Sequence, residues 1–467
     1  MRRAWIACAA LIAVASLSIA QVPSGRLELI GSSSPSASTH PERIGGPSEP
    51  TAITPIVVSC SPESTTSTTF VSTTCESTAL ADGVDYLVVG RAGVAGSDNA
   101  AQPHGLLEFG DSSDPGGELE SIALTNLEIS SVGGQGNGGS AHYSANQIAA
   151  LALVTGDGSS TLFFSLKSSA SDTAYIGAME IVAVPLTGLT PGADYLVDQV
   201  IEGESADFQT GISNTPVAIG GVVSIDVPGP TQDWIVLASL MTFWSGAATA
   251  TDGRTAAFEI DGVQLGATWL EEYESGFDFG HYTWQSIQTL TAGSHTFELL
   301  AANRNANAAM GAHRHKVILL RKAALVQALE LVDTTGTASG LTNTAYDDTN
   351  SFLDQAITPG AADRWVLALA SASGGNSTSQ STLMELRDKT AGASLATDSG
   401  EAQNDFGIDS GSDQIPTQLV GAKQLSAETT WSVRYRVSGA STGNVGRTPD
   451  GSSGIRSSLI LMELAIP

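Results

Sequence analysis

The sequence predicts an all-β protein of three tandem jelly-roll-like β-sandwich domains that follow a signal peptide. Short apolar runs separated by Gly, Asp, Asn and Ser dominate the chain, which is the pattern of many short strands. Apolar residues at the three- and four-residue spacing of amphipathic helices are scarce. Four sequence blocks also recur three times in the same order, and each set spans enough chain for its own two-sheet core.

The N-terminus has the order of a secretory signal. Arg2 and Arg3 give a positive start, an apolar run covers 6–20, and small residues at Ser18 and Ala20 fit signal peptidase cleavage before Gln21. The apolar run is shorter than the roughly 20 residues that span a bilayer, and no later stretch is long and apolar enough. We therefore expect residues 1–20 to be removed, a secreted protein at the cell surface or outside the cell, and no membrane insertion.

The charge balance restricts the partners. The chain has 20 Lys and Arg against 48 Asp and Glu, a formal net charge of −28. Such a surface repels nucleic acid and anionic membranes, so neither is expected as a partner. We expect no organic cofactor. Calcium is the candidate ion, because Asp- and Ser-rich loops offer oxygen ligands, but no EF-hand spacing identifies metal-binding residues.

Two cysteines remain after the signal peptide, since Cys8 is removed with it. In an exported chain the default for Cys60 and Cys75 is a disulfide. Closing a loop of this length stabilises by about 3 kcal/mol in the chain-entropy model. Two free thiols or a metal pair is the alternative, although no His or Cys lies nearby in sequence.

The repeat sets the predicted domain boundaries: a Ser/Pro-rich linker at 21–56, then units 1, 2 and 3 at 57–185, 186–323 and 324–467. Each unit has an apolar strand opened by an aromatic residue, a strand with an embedded glutamate, an alternating strand after a small-residue turn, and a closing apolar strand. The aromatic openers are Tyr86, Trp234 and Trp365, and the glutamates, expected on the solvent face, are Glu108, Glu259 and Glu385.

In outline, the units resemble the jelly-roll modules of viral and phage surface proteins and trimer-forming domains of the complement and tumour-necrosis-factor type. The resemblance rests on the aromatic-led first strand, the acidic-turn strand, and the Ala292–Thr296 turn before a late strand. It implies assembly or adhesion. Three similar units in one chain also suggest an internal mimic of a trimer.

Catalytic patterns are weak, and we expect no enzyme. The segment 109–112, with Ser112, resembles the Gly-Asp-Ser block of SGNH-type esterases, and Asp278 and His281 have that family's Asp-x-x-His spacing. The intervening Gly-x-Asn-Asp block and the helices of that family are missing. His313 and His315 alternate so as to share a strand face, and with His281 or His295 they form the metal-binding alternative.

The segment 269–284 of unit 2 is rich in aromatic residues and is interpreted as an excursion from the sandwich. Its candidate binding residues are Trp269, Tyr273, Tyr282 and Trp284. Three roles are open for it: a sugar-stacking platform, an interface anchor, or a cap on the core of unit 2.

The sequence thus favours a secreted structural or surface-assembly protein that self-associates or coats an envelope, with a homo-oligomer or a cell-surface component as its partner. The alternative is an extracellular carbohydrate-binding or adhesive module that uses the aromatic segment of unit 2 to bind a glycan.

Overall fold

The structure is a computed structural model. It describes residues 53–61, 63–69, 71–96, 104–111, 127–130, 147–168, 174–201, 209–210, 217–246, 253–272, 276–303, 309–335, 338–342, 344–345, 351–376, 382–394, 414–437, 443–445 and 456–466. The predicted signal peptide and most of the predicted linker therefore lie outside the described residues, as does Ser112.

The described residues form antiparallel β-sheets, as the sequence predicts, and their one helical element is a single 3-10 turn at Lys322–Ala324. Within these ranges no helix has the length and apolar character needed to cross a membrane. Residues 52–467 form one compact unit. The strands group into six sheets, two from each of three consecutive parts of the chain, here called units 1, 2 and 3.

Unit 1 consists of two sheets, here called inner and outer. The inner sheet has five strands in the order β1-β9-β4-β7, and β2 also pairs with β9. The outer sheet has four strands in the order β3-β8-β5-β6. Its strands are β1 (Ile56–Cys60), β2 (Glu63–Thr65), β3 (Val71–Glu76), β4 (Asp85–Gly96), β5 (His104–Asp111), β6 (Leu127–Ser130), β7 (Gln147–Thr155), β8 (Leu162–Ser168) and β9 (Ala174–Pro185).

Unit 2 has an inner sheet in the order β10-β18-β13-β16 with β11 also on β18, and an outer sheet β12-β17-β14-β15. Its strands are β10 (Tyr195–Ile201), β11 (Gln209–Thr210), β12 (Val217–Val227), β13 (Gln232–Gly246), β14 (Gly253–Ile260), β15 (Val263–Glu272), β16 (Gly276–Leu290), β17 (Gly293–Asn303) and β18 (Ala309–Arg321).

Unit 3 has a six-stranded inner sheet, β19-β28-β22-β27-β20 with β25 also on β22, and an outer sheet β21-β26-β23-β24. Its strands are β19 (Gln327–Asp333), β20 (Ala338–Leu341), β21 (Gln355–Ile357), β22 (Arg364–Asn376), β23 (Thr382–Asp388), β24 (Ala393–Ser394), β25 (Gln414–Leu425), β26 (Thr429–Val437), β27 (Gly443–Val445) and β28 (Ser457–Glu463).

The three sheet pairs share one strand order. Counting eight principal strands in each unit, the inner sheet runs 1-8-3-6 and the outer sheet 2-7-4-5. Between the two sheets of each unit lies a separate apolar core, represented by Tyr86 and Phe164 in unit 1, Trp234 and Phe297 in unit 2, and Trp431 in unit 3. Each unit therefore buries the facing sides of its two sheets, as a sandwich requires.

The predicted alignment of the aromatic openers is wrong by one residue in unit 3. Tyr86 and Trp234 both point into the core of their own sandwich. In unit 3 that position belongs to Val366, whereas Trp365 packs on the opposite face of the inner sheet. Because side chains alternate along a strand, a slip of one residue reverses the face that every side chain occupies.

The predicted disulfide is confirmed. Cys60 on β1 and Cys75 on β3 are bonded, with their Cα atoms 5.5 Å apart. Since β1 belongs to the inner sheet and β3 to the outer sheet, the bond ties the two layers of unit 1 together.

Candidate functional site

The most extensive feature outside the three sandwich cores is a fourth apolar cluster, here called the shared core. It contains side chains from all three inner sheets, on the face of each sheet that points away from the core of its own sandwich. They include Leu87, Val89 and Val182 of unit 1, Ile235, Leu237 and Ile318 of unit 2, and Leu367, Leu369 and Ile460 of unit 3. Each inner sheet is thus apolar on both faces, because one face fills its own sandwich and the other fills the shared core.

The units meet in a closed cycle. Strand β7 of unit 1 contacts β13, β16 and β18 of unit 2. Strand β16 of unit 2 contacts β22, β25 and β28 of unit 3, and β25 of unit 3 contacts β4 and β9 of unit 1. Since β7, β16 and β25 hold equivalent edge positions in their sheets, the three contacts repeat one arrangement within a single chain.

Next to a layer of apolar cross-strand pairs, the shared core contains a layer of polar pairs. In each strand, the polar residue lies two positions from the apolar one. The apolar pairs are Val89 with Val182, Leu237 with Ile318, and Leu369 with Ile460. The pairs that follow them are Arg91 with Glu180, Ser239 with Lys316, and Ser371 with Ser458. Arg91 and Glu180 are each 2% exposed, and their side chains form an ion pair of 3.1 Å. Burial dominates the raised pKa of Glu180, while Arg91 opposes it.

Arg456 of unit 3 contacts residues of its own unit and of unit 2. Its Nη2 donates to the carbonyl oxygen of Gln285 at 2.8 Å and to Oε1 of Glu330 at 2.8 Å. Its Nη1 lies 3.2 Å from the hydroxyl of Ser458, and its guanidinium lies over the Trp284 ring, 5.0 Å from the ring centre. Burial lowers the pKa of Arg456 to about 10 despite the opposing effect of Glu330, so the guanidinium stays charged at neutral pH.

Amide and hydroxyl groups extend this interface. The Nε2 group of Gln285 donates to the carbonyl oxygen of Leu369 at 2.6 Å, and Nε2 of Gln418 donates to Oε1 of Gln285 at 3.2 Å. Thr283 donates to Oε1 of Gln418, and Ser371 donates to the carbonyl oxygen of Thr283 at 3.3 Å. These buried donors and acceptors satisfy each other only when the two sandwiches are in register.

Units 1 and 2 are joined by a polar contact at the other end of the inner sheets. The hydroxyl of Tyr195 on β10 donates to Asp85 at the start of β4, and Thr155 donates to the same carboxylate at 2.5 Å. In unit 2, Asp233 accepts a hydrogen bond from Thr289 at 2.7 Å in the equivalent position. The Asp that precedes Tyr86 and Trp234 in sequence thus fixes the edge strand of its sheet.

The structure places three of the four candidate binding residues on strands. Trp269 lies on β15, Tyr282 and Trp284 lie on β16, and Tyr273 lies outside the described residues. Trp284 is 2% exposed and stacks on Phe258 with ring centres 4.5 Å apart. The indole of Trp284 is therefore part of the core of unit 2 and is also covered by Arg456 of unit 3, so a place for it on an exposed sugar-stacking platform is wrong.

The histidines of the metal alternative are engaged in other contacts where the structure describes their side chains. His315 is 1% exposed, with its ring edge against Phe258, and burial lowers its pKa to about 4. Both ring nitrogens of His295 contact oxygen acceptors of the protein. Among the described residues, no group of three or more His, Cys, Asp or Glu side chains is placed to hold a metal ion.

The repeated glutamates do not share one environment. Glu259 is half-buried, whereas Glu385 is 6% exposed and accepts a hydrogen bond from Arg434 at 2.6 Å. The expectation of a solvent-facing Glu385 is therefore wrong, because the carboxylate is buried with a cationic partner, as a buried charge requires.

Several interface residues carry no sequence signal. Arg456, Gln285, Gln418 and Glu330 belong to no motif, and Arg456 and Gln285 are 171 positions apart. Around Gln285 the order is Trp284, Gln285, Ser286, Ile287, so no alternation of polar and apolar residues points to it.

The fold and this interface define a multi-sandwich all-β protein whose three units share a core. No family model and no curated protein matches the sequence. Among solved structures, the chain is similar at low level to PNGase F, a glycosylasparaginase from Flavobacterium meningosepticum (8% identity, 58% of this chain, 96% of that chain, TM-score 0.29). PNGF-II (9% identity, 81% and 99%, TM-score 0.23) and the CBM22-1-CBM22-2 tandem of Paenibacillus barcinonensis Xyn10C (10%, 58% and 99%, TM-score 0.15) are further matches. These TM-scores are too low to transfer a function.

Proposed function

We propose that this protein is a secreted, non-catalytic structural protein in which three β-sandwiches form a single-chain counterpart of a trimeric surface head. In this role it self-associates or coats a cell envelope. The observation that supports the proposal most is the shared core, since it joins the three inner sheets as the subunits of a symmetric trimer are joined.

The energetic pattern of the interface fits a structural role. Its centre is apolar, the side chains of Gln285 and Gln418 bond across units 2 and 3, and Arg456 and Trp284 form an anchor in which a desolvated cation meets an aromatic face. A body built in this way presents its outer sheets and turns in fixed relative positions, which is what a repeating surface layer needs.

Because the trimer-like faces are used inside the chain, contacts between copies have to form on the outer surface. That surface belongs to a chain with a net charge of −28, so copies repel one another unless cations screen or bridge them. Calcium is the proposed bridging ion, and no particular residue is assigned to it.

The test is light scattering with negative-stain imaging of the chain from Gln21, at rising concentration, with calcium and with a chelator. Ordered rings, sheets or polymers are expected in calcium, with dissociation in chelator. A compact monomer at high concentration in both conditions contradicts the proposal.

The carbohydrate-binding alternative retains Trp269, Tyr273 and Tyr282 as its candidates, since Trp284 is buried. A glycan array with the native chain and a Trp269→Ala variant decides it. Specific glycan binding that the substitution abolishes would favour the alternative, and an array without signal would remove it.

A further inference from the structure

His295, near the start of β17 in unit 2, contacts an acceptor with each ring nitrogen. Its Nδ1 lies 2.6 Å from Oδ2 of Asp261, and its Nε2 lies 2.9 Å from the carbonyl oxygen of Thr291. A carbonyl oxygen only accepts hydrogen bonds, and an ionised carboxylate also only accepts. Both ring nitrogens therefore donate, which makes His295 an imidazolium ion in this arrangement.

Asp261 is held in place by further contacts. Its Oδ1 accepts from the backbone N–H of Thr296 at 2.8 Å, and its own N–H donates to the carbonyl oxygen of Thr296 at 3.0 Å. With φ at 52°, Asp261 occupies the left-handed region in the turn that joins β14 to β15. Asp and Asn tolerate that region better than most residues, and the carboxylate is thus aimed at His295 by its backbone.

The two partners of His295 belong to different connections. Asp261 and Gly262 form the hairpin turn of β14 and β15 within the outer sheet, whereas Thr291 lies where the chain crosses from inner strand β16 to outer strand β17. One cationic ring therefore ties a turn of the outer sheet to the crossover between the two layers of unit 2.

The pKa directions agree with this geometry. Partial burial acts to lower the pKa of His295, but the hydrogen bonds to Asp261 and Thr291 and the attraction of the Asp261 carboxylate outweigh it and raise that pKa above 6.5. Partial burial acts to raise the pKa of Asp261, but hydrogen bonds from Thr296 and His295 lower it below 3.8.

The charged groups on the elements around His295 are mostly acidic, which favours a cation there. On the outer sheet they are Asp226 on β12, which pairs in register with Ser294, and Glu259 on β14, which pairs with Glu298 on β17. At the same end of the inner sheet, the cations are already paired with carboxylates: Arg321 with Asp194, and Lys322 with Asp233.

We propose that His295 and Asp261 form a pH-sensitive latch, which holds the 261–262 turn against the 291–292 crossover while the ring is protonated and releases them when it loses its proton. The direction in which stability changes with pH follows from the linkage between protonation and folding. A histidine whose pKa is raised on folding contributes stability that is fully present below 6.5 and is lost as the pH rises through the folded-state pKa. The Asp261 carboxylate remains ionised throughout that window.

The test is an NMR titration of the histidine ring signals in the chain from Gln21, with His295 assigned by loss of its signal in His295→Gln. The expected midpoint for His295 is above 6.5, and Asp261→Asn, which keeps the backbone geometry, is expected to shift the midpoint downward. Asp226→Asn is the matched control, because it removes an exposed carboxylate of the neighbouring strand and is expected to leave the midpoint almost unchanged.

Thermal unfolding gives an independent measurement. The native chain and Asp226→Asn are expected to lose stability as the pH rises through the His295 midpoint, and Asp261→Asn is expected to lose that dependence. A native midpoint at or below 6.5, or equal shifts in the two Asn variants, overturns the proposal. If Asp261→Asn fails to fold, the titration midpoint of His295 in the native chain still tests the proposal.

Discussion

The guanidinium carbon of Arg456 lies 5.0 Å from the centre of the Trp284 ring, although the two residues belong to different sandwiches. Trp284 faces the core of unit 2 and stacks there on Phe258, while Arg456 immediately precedes the first residue of β28 in unit 3. The same guanidinium also bonds the backbone of β16 through the carbonyl oxygen of Gln285. Arg456 therefore joins unit 3 to both the backbone and the core of unit 2.

Substitution of Arg456 by Met is expected to destabilise residues 52–467 by about 3 kcal/mol, because it leaves Glu330 partly buried without its cation and removes the donor to Gln285. Urea unfolding followed by tryptophan fluorescence measures the loss. Arg364→Met, at the start of β22, removes an arginine from the same inner sheet and is expected to cost less than about 1 kcal/mol. Equal effects of the two substitutions would contradict the role given to Arg456.

The buried pair Arg91–Glu180 is expected to behave differently when one or both partners are changed. Glu180→Gln removes the buried carboxylate that pairs with the Arg91 guanidinium and is expected to cost about 3–5 kcal/mol. Replacing both residues by Met is expected to cost much less, since both charges of the pair are removed together. Chemical denaturation of the single and double variants checks this, and a double variant as unstable as Glu180→Gln would show that the pair itself contributes the stability.

Loss of the disulfide is expected to affect unit 1 first, because Cys60 and Cys75 tie its two layers together. The double variant with Ser at both positions is expected to lose about 3 kcal/mol by the chain-entropy argument. Cys75 is fully buried, so a reducing agent is expected to act slowly on the native chain. Thermal unfolding of the double variant provides the measurement, and an unchanged unfolding midpoint would count against a stabilising role.

Self-association is expected to increase with ionic strength. At a net charge of −28, repulsion between copies extends about 10 Å at 0.1 M salt and about 3 Å at 1 M. Sedimentation velocity in sodium chloride between these concentrations, with and without calcium, separates general screening from bridging by a divalent ion. Association that weakens with added salt would indicate attraction between opposite charges instead.

Much of the fold is predictable from the sequence because it depends on local patterns. Strand alternation and turn residues identify the all-β class, and cysteine spacing with the predicted export identifies the disulfide. The face of Trp365 is not predictable in this way, because an aromatic residue suits either apolar face of an inner strand and only the pairing register decides between them.

The interface between the units is less predictable than the fold class, because it depends on contacts between distant parts of the chain. Trp284 lies in an aromatic-rich segment that is typical of a binding loop, but β16 continues through most of it and places the indole inside unit 2. Arg456 and Gln285 meet only because two inner sheets pack together, and no local pattern encodes a contact between residues 171 positions apart. Sequence periodicity predicts that a face is buried, without indicating which element covers it.

The position of β28 affects how this protein is made. Strand β28 lies between β19 and β22 in its sheet, and it supplies Ile460 and Met462 to the shared core. During synthesis, the first two sandwiches emerge long before these residues do. Until residue 463 has been added, the inner sheets of units 1 and 2 keep apolar side chains in contact with solvent. We therefore expect an unfinished chain to be prone to aggregation and proteolysis during this interval.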